Sequence, residues 1–192
     1  MFYPKLSRII NTIILVLLAT NSVADDTDSD YQTIQWNDLL TKKDITALMN
    51  PPDELFDIAD GSEEDKLSNA FTNALNLATD NEYQRALSST IVREEFNNKK
   101  IRIAGFIVPI TVDSSQNITE FFLVPYYGAC IHVPPPPPNQ IIFSQIDQPL
   151  QLDDISNPFW AEGTFSTKLI ENKIATSAYS MKVEHMELYE EE

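Results

Sequence analysis

The stretch "KKIRIAGFIVPI", Lys99 to Ile110, decides the fold. It is dense in branched apolar residues, which fit a pleated, half-buried surface. Gly105 stands at its centre, where a strand glycine marks a bulge or a tight bend. Before this stretch the apolar residues recur at three and four. After it they do not. The turn signal Asn97-Asn98 separates the two regimes.

Four further strands follow toward the C-terminus. "ITEFFLVPYY" (Ile118–Tyr127) is apolar on both faces at its centre and is reached through the polar turn Asp113–Asn117. "NQIIFSQI" (Asn139–Ile146) is the third strand, and "PFWAEGTFST" (Pro158–Thr167) the fourth, with Gly163 in its middle. "TSAYSMKVEHMELY" (Thr176–Tyr189) is the last. Alternation puts Tyr179, Met181, Val183 and His185 on one face, and Ser180, Lys182 and Glu184 on the other. So many short strands cannot hide their edges in a flat sheet, and closure removes most of those edges. Glycines 105 and 163 supply the curvature. The expected class is α+β: an OB-fold-like five-stranded β-barrel over 99–189, preceded by a helical segment over 34–98. A two-sheet sandwich is the alternative.

Within the helical segment, "IQWNDLL" offers Trp36, Leu39 and Leu40 to one face of a short turn. "NPPDELFDIADGSEEDK" reads as irregular, because Pro51, Pro52 and Gly61 interrupt it. Leu67, Phe71, Ala74, Leu75 and Ala78 trace a helix over 64–78. Tyr83, Leu87 and Ile91 trace a second over about 81–96, with Asp80 placed to cap it.

The N-terminus reads as an export signal over residues 1–24. Lys5 and Arg8 precede the apolar run "IINTIILVLLA", and Ser22-Val23-Ala24 sets cleavage before Asp25. The run is shorter than the roughly 20 residues of a membrane span. The expected product is therefore an exported protein and not an integral membrane one. Residues 25–33 open with "DDTDSD" and read as a disordered acidic leader. Removal of Lys5 and Arg8 moves the formal charge from −16 to −18. That charge argues against nucleic acid, whose binding draws on counterion release by Lys and Arg. It argues equally against binding to anionic lipid surfaces.

Chemistry concentrates in "YYGACIHVPPPPPNQ", Tyr126 to Gln140. It holds the chain's only cysteine, Cys130, and one of its two histidines, His132. In an extended segment the two side chains share a face, with Cα atoms roughly 6.5–7 Å apart. Thiolate and imidazole are donors for zinc, and also for copper. His185 is the one further imidazole, so Cys130, His132 and His185 are the candidate metal ligands, with Glu120, Glu184 and Glu187 as neighbouring carboxylates. Two or three ligands suit an open site that receives and passes on an ion. An inert buried thiol is the competing reading, and a His185 that is only a core or rim residue is another. A Cys130-dependent enzyme is a third possibility; the sequence has neither a Cys-x-x-Cys pair nor a legible oxyanion hole, so no catalytic residue is assigned. Pro134–Pro138 favour a stiff extended helix of roughly 15 Å. It acts either as an internal strap, packed on Tyr126, Tyr127 and Phe143 with its carbonyls bonded by Asn139 and Gln140, or as an exposed ligand for an aromatic groove.

The blocks from "KKIRIAGFIVPI" through "GACIHVPPPPPNQIIF" to "FWAEGTF", with "WNDLL" upstream, resemble the DUF3299 family of exported bacterial proteins. The family's marked positions correspond to Gly128, Cys130, His132, the proline run, Asn139 and Gln140. The resemblance implies a small exported OB-like module. It also implies a genetic setting beside ABC-type transport components, some linked to zinc, so the expected partners are such components or another periplasmic protein. It implies no activity.

Overall fold

A computed structural model of the chain describes residues 30–51, 82–115, 117–129, 135–151 and 155–190. The expected signal, residues 25–29 of the leader, the helix over 64–78, Asp80 and the Cys130–Pro134 segment lie outside the described residues.

The strands are β1 (Gln32–Thr33), β2 (Lys100–Val112), β3 (Ile118–Val124), β4 (Ile142–Leu150), β5 (Phe159–Ser166), β6 (Ile170–Glu171), β7 (Thr176–Ser177) and β8 (Tyr179–Leu188). β2, β3, β4, β8 and β5 are hydrogen-bonded in that order, and β5 pairs back to β2. This is the closed barrel that the sequence leads one to expect. β4 and β8 run parallel, while the other barrel pairs are antiparallel.

β2 closes the barrel by serving two neighbours. Lys100–Gly105 pairs with β5, and Phe106–Val112 pairs with β3. Gly105 stands at the handover. A Cβ there would lie 2.9 Å from Leu123 Cγ, Trp36 Cζ2 and Val124 O. Gly163 is tighter still: a Cβ would lie 2.1 Å from Lys182 O. The β5–β8 register shifts at this point, passing from Glu162↔His185 to Gly163↔Val183. The bulge re-aims the end of β8. Tyr179, Met181 and Val183 are buried, whereas His185 is exposed and Met186 packs against the core. The expected shared face of His185 with Val183 is therefore broken, because one inserted residue shifts the period of 2.

The barrel interior is filled by Ile101, Ile103, Ile107, Phe121, Leu123, Ile142, Ala161, Phe165, Tyr179 and Met181. A second cluster lies on the other face of β3 and β4. There Phe122, Val124, Ala129, Ile141 and Phe143 are buried, with Phe106, Val108, Ile110, Ile170 and Ala175 packed around them. This explains why the centre of β3 is apolar on both faces.

The helical segment is shorter than its periodicity suggests. Trp36–Leu39 forms a 3-10 turn, with Leu39 and Leu40 buried. Helix α1 spans Lys42–Leu48, where Thr41 Oγ1 accepts from Asp44 N at 3.1 Å. Helix α2 spans Glu82–Leu87 and stops there instead of running on to Phe96. Ser88 Oγ bonds back to Gln84 O at 3.2 Å, and Ser89 turns inward to Asp44. Such side-chain bonds compete with the helical ladder. Only a 3-10 turn at Glu94–Phe96 follows. Asn98 then takes the left-handed conformation at φ 57° and donates its N–H to Phe165 O at 2.8 Å. The leader is structured by its end: β1 pairs parallel with β2 at Gln32↔Ile101, and Tyr31 OH donates to Glu184 Oε2 at 2.8 Å.

Tyr179 ties the two parts together. Its hydroxyl donates to Leu39 O at 2.9 Å and accepts from Arg93 N at 2.7 Å. Burial pushes its pKa up to about 12. The folded state thus retains the phenol proton more strongly than the unfolded chain, whose tyrosines titrate near pH 10. Stability from this group is complete below about pH 10 and declines as pH rises toward about 12. Spectrophotometric titration of the folded protein is expected to show a tyrosine ionising near the top of that range, and Tyr179→Phe removes that late component. Gly163→Ala is expected to cost about 2–3 kcal/mol in urea unfolding, because backbone must move to admit the methyl group.

Candidate functional site

The Cys-x-His segment is bounded by two fixed ends. On one side Gly128 turns the chain at φ 74°, and Ala129 is fully buried, its N–H donating to Tyr126 O at 3.3 Å. On the other side Pro136 and Pro137 are buried and lead into a 3-10 turn at Pro138–Gln140. The prolines there form an internal strap. Cys130 and His132 themselves lie outside the described residues.

Asn139 bolts the strap down. It is fully buried, and its N–H donates to Ser89 O at 3.2 Å. Its Nδ2 donates to Ser89 Oγ at 3.1 Å, to Ile91 O at 3.2 Å and to Asp44 Oδ2 at 3.4 Å. Ser89 Oγ in turn donates to Asp44 Oδ2 at 3.2 Å. A buried carboxylate, hydroxyl and amide thus join α1, the segment after α2 and the strap. Gln140 Nε2 reaches Trp36 O at 2.8 Å and Asn139 O at 3.1 Å. Among the described residues neither side chain bonds a carbonyl of the strap, contrary to the expectation from sequence. Backbone amides do so instead: Gln140 N bonds Pro137 O at 2.8 Å, and Ala178 N bonds Pro138 O at 2.8 Å.

Beside the strap lies a groove of about 490 Å³, whose lining includes Leu40, Leu48, Tyr83, Tyr126, Pro136 and Gln140. Of the three rings expected on the strap, only Tyr126 lines this groove with the prolines. Tyr127 packs edge-on against Phe106, with centroids 6.1 Å apart, and Phe143 against Phe122 at 6.1 Å. Tyr83 and Leu87 of α2, which the sequence offered only as a helix face, also line it.

His185 lies toward the C-terminal end of β8. Ala129 packs in the cluster with Ile141 and Phe143, and Phe143 is in register with Ser180 near the start of β8. His185 is five residues further on, roughly 16 Å along an extended strand. Its side chain is 60% exposed, with Nε2 3.9 Å from Glu187 Oε2. The expected carboxylates are engaged elsewhere. Glu187 and the buried Glu162 bind Arg102, whose guanidinium lies over Trp160 at 4.5 Å. Glu184 accepts from Tyr31 and Thr164, which hold its pKa below the usual carboxylate range, and Glu120 accepts from Thr111 and Gln145. Among the described residues no group of three or more His, Cys, Asp or Glu is placed to hold a metal ion. Among them, too, no helix is long and apolar enough to cross a membrane.

Fold and site define a small mixed β-barrel carrying a helical segment bolted to a proline strap. The chain belongs to the DUF3299 family, whose model, described as a protein of unknown function, matches residues 36–188. The crystal structure of a DUF3299 family protein from Pseudomonas aeruginosa PAO1 is similar to it, with a TM-score of 0.60 and 31% identity over 85% of this chain and 99% of that one. No curated protein matches the chain.

Asn139→Ala is expected to lower stability by about 2 kcal/mol, since it leaves Ile91 O and the Ser89–Asp44 pair without their buried donor. The same change is expected to speed proteolytic cleavage within 130–138, read by limited proteolysis and mass spectrometry.

Proposed function

We propose that this is an exported, periplasmic accessory protein of an ABC-type transport system that binds zinc through Cys130 and His132 and performs no catalysis. The carrying observation is the anchoring of the Cys-x-His stretch at both ends, by buried Ala129 and by the Asn139-bolted strap. A pair of ligands held by fixed ends loses less conformational entropy on binding than a pair on a free loop. Two protein ligands leave zinc's remaining positions open, which suits an ion that is received and handed on. His185 is the further imidazole of the chain and the third candidate ligand. Transport components or another periplasmic protein are the expected receivers.

A second reading comes from the groove beside Pro135–Pro137. In it the strap braces a protein-binding surface and Cys130 is inert. Metal analysis separates the two. Untagged protein recovered from exporting cells is expected to bind zinc at one equivalent, with affinity reduced at least about a hundredfold by Cys130→Ser or His132→Ala. His185→Ala tests the third ligand in the same assay. Binding weaker than about 10 µM, roughly −7 kcal/mol, would exclude the zinc reading, and alkylation of Cys130 only after unfolding would favour the inert thiol.

A further inference from the structure

The β6–β7 hairpin has two unlike faces. Ile170 and Ala175 pack inward on the Phe122–Phe143 cluster. Leu169 and Ile174 point away from it, 48% and 54% exposed. Each is preceded by a lysine, Lys168 and Lys173, and both lysines are exposed. Neither lysine has an ion-pair partner among the described residues, whereas Lys43, Lys100 and Lys182 are each paired. Glu171 is the hairpin's one carboxylate. The tip is held in shape: Glu171↔Thr176 pair, Asn172 N bonds Ala175 O at 3.1 Å, and Ile174 N bonds Asn172 Oδ1 at 3.1 Å. Tyr127, 58% exposed, packs edge-on against Phe106 at the rim of the same cluster.

We propose that this hairpin is an interfacial contact for an anionic bilayer surface. Exposed aliphatics flanked by cations bind where acyl chains meet acidic headgroups. A tyrosine at the rim suits that boundary, where an apolar ring and a polar hydroxyl are both satisfied. The negative charge of the whole molecule opposes attraction at long range. Screening at physiological salt limits that opposition to within about 8 Å. What the bilayer meets is then set by the face turned toward it: the hairpin carries two lysines against Glu171, with Glu94 held by Thr167 beside Lys168. The binding is reversible and orients the barrel with the hairpin against lipid. The inference does not rest on metal at Cys130.

The test is flotation of the protein recovered from exporting cells with phosphatidylglycerol–phosphatidylcholine vesicles and with pure phosphatidylcholine vesicles. Flotation with the anionic vesicles at physiological salt is expected, weakening as salt rises further. Lys168→Glu with Lys173→Glu is expected to lower the partition at least about twenty-five-fold, at about fivefold per lysine. Leu169→Asp with Ile174→Asp is expected to abolish it. Both double variants alter exposed side chains, and unchanged thermal unfolding confirms that they fold. Absence of wild-type flotation at physiological salt overturns the proposal and leaves the tip to a protein partner. Equal flotation of wild type and variants also overturns it, by assigning the binding to another part of the chain.

Discussion

The architecture depends on one long strand having two partners within the barrel. β2 gives its first half to β5 and its second half to β3, and so converts a sheet into a barrel. The exchange happens at Gly105, where Leu123, Trp36 and the backbone of β3 all come within van der Waals distance of the missing side chain. Trp36 fills that space and donates its indole N–H to Ala104 O at 2.6 Å. The helical segment is therefore seated against the same point where the barrel closes.

From this seat the helical segment and the barrel share their polar groups. Tyr179 bridges Leu39 O and Arg93 N, and Asn139 bridges the strap to Ser89, Ile91 and Asp44. Buried polar groups need partners, and each of these supplies one across an element boundary. The proline strap has no amide hydrogens to anchor it along its own length. Its rigidity is useful only because the next residue, Asn139, is bolted into both parts. The Cys-x-His stretch is then held between two fixed points of one unit.

Much of the barrel was legible because strand and helix periods differ and the change falls at Asn98. All five barrel strands were placed to within a few residues, and the glycines marked the handover and the bulge. Local competition was harder to read. α2 has an apolar period that runs on to Phe96, but Ser88 and Ser89 divert their hydroxyls to other acceptors and end it at Leu87. α1 has no legible apolar period because most of "KKDITAL" is polar or charged, and its cap, Thr41, is an ordinary residue in a polar run. β1 was hidden in an acidic leader, since its pairing needs the exposed edge of β2 and no hydrophobic pattern of its own.

The sequence alone determined the barrel class, the stiffness of the proline run and the identity of the chain's one thiol–imidazole pair. These follow from side-chain shape, missing amide hydrogens and spacing along the chain. The side on which His185 lies was decided only by tertiary structure, because a bulge opposite Gly163 inverts the alternation and is set by how closely β5 approaches Lys182 O. The partners of Asn139 and Gln140 were likewise decided there. An amide side chain takes whichever acceptor packing brings to it, and Ser89, Ile91 and Trp36 are distant in sequence.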